Sequence, residues 1–222
     1  FALRRTAIGL LRVIIENNLT IPLKDLINHS IKTYQDQNVI FTNETLSKDI
    51  MTFLSERFKN LLKDKKIRSD IIEAAQSLNY SDNFLILYKK CLIVNKNISK
   101  DICKNIVGTY KRASNILDQE IKSKNNIIIG QPNSFLFKKD EEKNLFEKIN
   151  EIRKYFSDAR KYENYDETLK VLSAAKPITD SFFDNVIVND ENLDIKKNRL
   201  ELLKMFCKTY NNFIDFSKVE GT

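Results

Sequence analysis

One predicted helix, over residues 102–122, carries cations and an amide on its outward side. At 3.6 residues per turn, Lys104, Lys111 and Asn115 fall on one stripe, and Arg112 flanks it. Ammonium groups hold phosphates, and guanidinium or amide groups reach either phosphates or base edges. These residues therefore suit recognition of a polyanion. The alternative is an ordinary solvated face, and the helix alone does not decide between the two.

A second basic segment lies near the end of the sequence. Residues 196–218 contain six cations and two carboxylates, a balance of +4. Asn198 and Arg199 stand near the start of the predicted last helix, where backbone N–H groups and the helix dipole favour anions. The two basic helix faces could together line a groove for a single-stranded loop, which proteins read by stacking and by hydrogen bonds to splayed bases.

The overall charge points the same way without settling the question. The net charge of +7 favours a polyanionic partner. The chain is also rich in lysine, asparagine and isoleucine, as expected from an AT-biased genome, and that bias is an alternative cause of the charge.

Groups suited to catalysis are scarce. The 4 glycines stand singly, so neither a dinucleotide fingerprint nor a P-loop can cradle a nucleotide phosphate. His29 is the single histidine and the single candidate for an imidazole base. Asp140, Glu141 and Glu142 begin a predicted helix, where anions favour the dipole, and we interpret them as structural. We predict no catalytic residue in this chain.

The cysteines do not indicate a metal site. Cys91, Cys103 and Cys207 lie far apart and form no C-x-x-C pair, whereas structural zinc needs four close ligands. They are typical of reduced, buried thiols in a cytosol. The stretch AIGLLRVII is too short to span a bilayer and Arg12 interrupts it, so we predict neither a membrane segment nor a signal peptide.

Apolar residues recur at helical spacing along nearly the whole chain. The first predicted helix shows this in Leu3, Ala7, Leu10 and Ile14, a stripe that must be buried against other helices. No segment of comparable length alternates with a period of two, and 3 prolines and 4 glycines leave few breakers. We therefore predict an all-α protein.

A domain boundary is predicted near residue 98. Residues 1–98 have the pattern of a helical region with polar connections, and residues 99–222 that of an antiparallel helical bundle with short links. The chain begins with phenylalanine instead of methionine, from which we expect a fragment of a longer protein.

Several blocks along the chain form a family signature. They are FALRR (1–5) with Ala7, Gly9, Arg12 and IIE (14–16), FLSERFKNLL (53–62) with IR (67–68) and DIIEA (70–74), YKRASNIL (110–117), FFDNVIV (182–188), KNRLELL (197–203) and DFSK (215–218). In this order, and over essentially the full chain, they resemble the C-terminal part of the β subunit in the bacterial tetrameric glycyl-tRNA synthetase family. Together the blocks are more specific than any one of them.

The resemblance implies a cytoplasmic α2β2 class II ligase that joins glycine to its tRNA with ATP and Mg²⁺. It implies that the α subunit carries the active site, and that this part of the β subunit holds no cofactor. It further implies that residues 99–222 form a DALR-type bundle that binds the anticodon, and that residues 1–98 join this bundle to the rest of β. Our candidate tRNA contacts are Lys104, Lys111, Arg112, Asn115, Asn198 and Arg199.

Two other functions stay open on the sequence. A helical scaffold could dock onto other subunits with its basic faces merely solvated. General RNA binding outside translation would rest on net charge alone. Binding to glycine tRNA and to a tRNA with an altered anticodon, at two salt concentrations, separates these possibilities.

Overall fold

The computed structural model describes residues 2–78, 82–124, 130–158 and 164–221, without the side chains of residues 123 and 124. Within these ranges the chain forms α-helices and short 3-10 turns and no strand, which confirms the all-α prediction. It divides into two compact units, Phe1–Asn95 and Lys96–Thr222, whereas the sequence placed the boundary slightly later, after residue 98.

In the first unit, one helix packs against three others. Its helices are α1 (Ala2–Glu16), α2 (Leu23–Asp36), α3 (Leu46–Asp64), α4 (Ser69–Gln76) and α5 (Phe84–Asn97), which reaches the unit boundary. α3 packs against α1, α2 and α4. Phe58 on α3 meets Phe84 on α5 edge to face, with ring centroids 4.9 Å apart, and both rings are buried.

Left-handed residues end the first three helices. Asn18, Asn38 and Lys66 have φ values of 52°, 62° and 63° and follow α1, α2 and α3. In each case the next residue donates its N–H to the carbonyl five residues earlier, which is the Schellman arrangement.

The apolar side chains of α1 divide between the core and an open side. Ala7 and Ile14 are buried, as the helical spacing predicts. Leu3 and Leu10 are 70% and 39% exposed, so the prediction that the whole stripe is buried is wrong. Leu11 is fully buried instead, because α3 covers that side of α1.

The second unit is a bundle around its last helix. Its helices are α6 (Asp101–Lys124), α7 (Asp140–Ser157), α8 (Tyr165–Ser173), α9 (Lys176–Asn185) and α10 (Leu193–Tyr210), with 3-10 turns at Ser134–Leu136 and Phe216–Lys218. α10 packs against α6 and α7, α9 also packs against both of them, and α8 packs against α6. Residues 200–203 are all buried, whereas Lys197, Lys204 and Lys208 are exposed along one side of α10.

Helical spacing predicts an inward stripe on α6 that consists of Ile106, Tyr110, Ala113, Leu117 and Ile121. The buried members of the stripe are Ile106, Tyr110, Ala113 and Leu117. Ile121, predicted to continue the stripe, is 44% exposed. The ring of Tyr110 is buried, and its hydroxyl donates to Asn211 Oδ1 at 2.8 Å, so the polar atom is satisfied.

Candidate nucleic-acid interface

The outward face of α6 holds most of its predicted polar residues in solvent. Lys104, Arg112 and Asn115 are exposed and Lys111 is half-buried. Gly108, on the same helix, is also exposed, and a Cβ built there would meet no neighbouring atom within 4 Å. The glycine is therefore not a packing requirement inside the described chain, and it leaves a shallow place where the backbone of another molecule can come close.

Arg112 is held against the end of α9. Its guanidinium carbon lies 4.5 Å from the ring centroid of Phe183, which is a cation–π geometry. One nitrogen approaches the carbonyl oxygen of Phe183 at 3.5 Å, and another lies 3.8 Å from Asp184 Oδ1. The side chain remains about half exposed. Such loose, solvent-facing contacts orient the guanidinium and contribute little to stability.

Arg199 lies in the interior of the bundle. It is 3% exposed, and its Nε donates to Glu142 Oε1 at 3.0 Å. Its Nη1 donates to Asp190 Oδ2 at 2.6 Å and to the Ile187 carbonyl at 2.8 Å. Burial opposes the charged form of Arg199, but the bonds to Glu142 and Asp190 outweigh it and raise the pKa of the guanidinium above its ordinary value.

Glu142 completes this buried network from the start of α7. Its side chain is fully buried, and its Oε2 accepts the backbone N–H groups of Lys138 at 2.8 Å and Lys139 at 2.9 Å. The carboxylate therefore caps α7 and neutralises Arg199 at the same time. The structural interpretation of this acidic residue is confirmed.

Asn198 fixes the turn that precedes α7. It is 2% exposed, its Oδ1 accepts the N–H of Asn133 at 2.6 Å, and its Nδ2 donates to the carbonyl of Asn133 at 3.1 Å. The side chain of Asn133 in turn accepts the N–H of Phe135 at 3.0 Å. A buried amide on α10 thus sets the backbone of the 3-10 turn.

The second basic face expected on the last helix takes only part of its predicted form, because Lys197, Lys204 and Lys208 are exposed there but Asn198 and Arg199 are not. The six candidate residues do not share one surface, because Lys104, Lys111, Arg112 and Asn115 lie on the outward side of α6, whereas Asn198 and Arg199 are buried. The physical reason is that α6 and α7 both pack on α10, which leaves its N-terminal polar residues to bond with loops of the same unit.

Three cations from three elements bind alternate carbonyls at the end of α9. Arg112 approaches the carbonyl of Phe183, Lys139 Nζ donates to that of Asn185, and Arg199 donates to that of Ile187. A helix leaves its last carbonyls without partners inside the helix, and cations near that end satisfy them and favour the dipole. The segment from residue 183 to 190 is held in this way against α6, α7 and α10.

The second unit also has an exposed aromatic residue, Phe135, that is not among the candidate contacts predicted from the sequence. Phe135 is 93% exposed, although its backbone is fixed through Asn133 by the buried Asn198. An exposed ring on a fixed turn can stack on an unpaired base. The available signal was an aromatic residue in a turn-forming stretch, QPNSF, with two lysines three and four residues after it.

The described ranges have neither a metal-ligand cluster nor a membrane-spanning helix. No group of three or more His, Cys, Asp or Glu side chains there is placed to hold a metal ion. None of the described helices is long and apolar enough to cross a membrane. Cys91, Cys103 and Cys207 are all buried, and burial raises their thiol pKa values to about 12, 11 and 12.

Each unit matches a different known protein family. Residues 1–77 match the family described as "Glycyl-tRNA synthetase beta subunit". Residues 106–220 match the family described as "DALR anticodon binding domain". The first match lies in the first unit and the second match lies in the second unit.

Relatives at the level of whole proteins agree with these matches. The chain is 37% identical over 222 residues to the glycine–tRNA ligase beta subunit of Rickettsia africae (strain ESF-5), and 29% identical over 219 residues to that of Clostridioides difficile (strain 630). Each match covers 99% of this chain but only 31% and 30% of the relative, in its C-terminal part. The chain therefore spans about a third of the length of these relatives.

Proposed function

The chain belongs to the glycyl-tRNA synthetase β-subunit family and carries that family's DALR anticodon binding domain, and on this premise we propose that its second unit binds the anticodon arm of glycine tRNA. The observation that carries the proposal is the open polar face of α6, of which Lys111, Arg112 and Asn115 lie within the matched DALR region. An anticodon loop offers phosphates and splayed bases, and this face offers cations and an amide to meet them.

Each residue of this face has a distinct proposed role. Lys104 and Lys111 bind phosphates as mobile point charges. Arg112 is oriented by the ring of Phe183, so its guanidinium is prepared for a bidentate contact with a phosphate or a base edge. Asn115, one helical turn from Lys111, can hydrogen-bond a base.

Asn198 and Arg199 act on tRNA through the loops that they position. Direct contact with RNA would require opening the bonds of Arg199 to Glu142 and Asp190, which lie in the interior. With those bonds intact, Asn198 holds the turn that presents Phe135, whose exposed ring is available to stack on an unpaired base. The proposed interface thus includes Phe135 in addition to the face of α6.

The wider assembly is proposed from family membership. A β subunit of this kind would work in the cytoplasm, with an α subunit in an α2β2 tetramer, in the ATP-dependent attachment of glycine to its tRNA. The described residues of this chain do not fit ATP or Mg²⁺, since its glycines form no phosphate cradle and its acidic residues no ligand group. As the family resemblance implies, ATP and Mg²⁺ would be bound by the α subunit, and this chain would contribute tRNA binding.

A pair of double variants tests the interface. Lys111→Ala/Arg112→Ala should weaken binding of glycine tRNA about 10- to 100-fold, as expected for the loss of about 1–3 kcal/mol per base-reading contact. Each lost phosphate contact should also lower the salt slope by about one unit. Arg153→Ala/Lys154→Ala removes the same two charges from an exposed part of α7 and should have a much smaller effect. Equal losses for the two double variants would contradict the proposal, because binding would then depend on the net charge of the chain and not on the face of α6.

Two further arms of the same measurement examine specificity. A tRNA with an altered anticodon should bind more weakly than glycine tRNA to the unsubstituted chain, and this preference should shrink in Lys111→Ala/Arg112→Ala. Phe135→Leu retains an apolar side chain but removes the stacking ring, and it should weaken binding while leaving the fold intact. Salt-sensitive binding without any anticodon preference would contradict the proposal.

A second candidate function concerns the first unit alone. The predicted alternative of a docking scaffold is favoured by the exposed apolar side chains of α1 and α2, which the tRNA proposal does not use. The two functions are compatible, because each is assigned to a different unit.

A further inference from the structure

Large apolar side chains are exposed mainly within the first 40 residues. Thirteen large hydrophobic side chains are exposed in the described ranges, and eight of them lie between residues 3 and 40. Leu3 is 70% exposed, Leu26 49% and Tyr34 54%. Single exposed apolar residues are ordinary, but a concentration of them indicates a surface that is covered in the working protein.

Four of these eight side chains border an open groove between α1, α2 and α3. The groove has a volume of about 620 Å³. Its walls include Leu3 and Leu10 from α1, Leu26 and Tyr34 from α2, and Ile50 and Phe53 from α3. The groove thus lies entirely within the first unit, and every helix around it contributes apolar side chains.

Three polar side chains that line the groove form hydrogen bonds to groups nearby in the sequence. Thr6 Oγ1 donates to the Ala2 carbonyl at 3.2 Å, and Ser30 Oγ donates to the Leu26 carbonyl at 2.9 Å. Asp49 Oδ2 accepts from the side chains of Asn43 and Thr45, each at 2.9 Å. A small-molecule site usually presents a few convergent polar groups. This groove instead suits the apolar face of a protein segment, as in helix-in-groove recognition.

The family comparison identifies the segment. The helices around the groove lie within residues 1–77, which match the β-subunit family, and the chain covers only the C-terminal 31% of the Rickettsia africae relative. We propose that the groove is the docking face for the part of the β subunit that, in the relatives, precedes the region matched by this chain. This proposal is independent of tRNA binding by the second unit.

Charge on α1 argues against a second copy as the occupant. The helix carries Arg4, Arg5 and Arg12 against a single carboxylate, Glu16, and the three arginines are exposed. A symmetric contact through α1 would bring two such sets together, and like charges across an interface oppose association. The covering segment should therefore combine an apolar face with carboxylates at its edges.

A thiol-labelling experiment tests this assignment. A chimera joins the Rickettsia africae β-subunit residues that precede the matched region to residue 1 of this chain. Leu26→Cys places a reporter in the groove, and Lys32→Cys places a control on the opposite side of α2. The three natural cysteines are buried, so they give little background labelling by a maleimide.

The proposal makes a definite forecast for the labelling rates. Leu26→Cys should react at least tenfold more slowly in the chimera than in the 222-residue chain, whereas Lys32→Cys should react equally in both. Leu3→Cys, on the α1 wall of the groove, should follow Leu26→Cys. Equal rates for the groove reporters in both chains would overturn the proposal.

Two other results would assign the groove to a different occupant. Slow labelling of Leu26→Cys in the 222-residue chain at high concentration, relieved by dilution, would identify a second copy. Protection in the chimera that depends on added α subunit would identify that subunit. Either result would overturn the docking proposal, and tRNA binding measured on the same proteins would show separately whether the second unit functions.

Discussion

The two units of this chain place their charged and apolar groups in opposite ways. In the described part of the first unit, large apolar side chains such as Leu3 and Ile40 are on the surface, and Lys90 is the one charged residue in the buried set. In the second unit, Glu142, Lys196, Arg199 and Glu201 are all buried. The first unit has an apolar surface suited to contact with another part of a protein, whereas buried ion pairs connect the elements of the second unit.

The buried charges of the second unit tie loops and helices to α10. Lys196 pairs with Glu120 on α6 at 2.9 Å, and Arg199 pairs with Glu142 at the start of α7. Gly130, with φ of 140°, passes so close to α10 that a Cβ there would lie 2.3 Å from Glu201 Oε1. Buried pairs of this kind add little net stability but penalise any change that removes one partner.

The largest expected effect is therefore the loss of Arg199. Arg199→Met leaves Glu142 buried without its cation, and we expect a loss of about 3–5 kcal/mol in the free energy of unfolding. Denaturant unfolding followed by circular dichroism measures the loss. Arg112→Met, which removes the same group from the surface, should change stability by only about 0.5 kcal/mol. Similar losses of stability in both variants would contradict the interpretation that buried Arg199 stabilises the fold and exposed Arg112 does not.

A smaller effect of opposite sign is expected for the buried cation of the first unit. Burial lowers the pKa of Lys90 to about 8, from 10.5 for the free side chain. Holding it charged destabilises the folded chain below pH 8, and this penalty fades as pH rises from about 8 to 10.5, because the unfolded chain then binds more protons. Lys90→Met should therefore stabilise the chain by up to about 3 kcal/mol at pH 7.

The pH profile distinguishes this cause from simple repacking. The stability advantage of Lys90→Met over the unsubstituted chain should shrink as unfolding is repeated at steps between pH 8 and pH 10.5. A constant advantage across that window would mean that the ammonium charge is not the source of the penalty.

The smallest effect is expected at the groove. Leu3→Ala removes a side chain that is 70% exposed and should change the stability of the 222-residue chain by about 0.5 kcal/mol or less. Leu11→Ala on the same helix removes a fully buried side chain and should cost about 2–5 kcal/mol. A large loss from Leu3→Ala would show that Leu3 already contributes to the core of the chain alone.

Periodicity predicted the fold class and the inward side of α6 because both depend on neighbours one turn away. The burial of Arg199 and Asn198 could not be predicted in the same way, since their partners Glu142 and Asn133 are 57 and 65 residues distant in sequence. Helical spacing also places Leu3 on an apolar side of α1, but it does not reveal whether another element covers that side. The sequence therefore predicts which sides of a helix are apolar or polar, but it does not predict which element packs against each side.

The three cations at the end of α9 have a mechanical consequence. Alternate carbonyls at residues 183, 185 and 187 are each attached to a different helix, through Arg112, Lys139 and Arg199. Lys139 and Arg199 hold this segment by firm bonds, and Arg112 lies against it through the ring of Phe183 and a longer approach to its carbonyl. We expect the packing of the helices to maintain the orientation of the Arg112 guanidinium. This part of the surface should therefore change little in structure when an RNA loop binds.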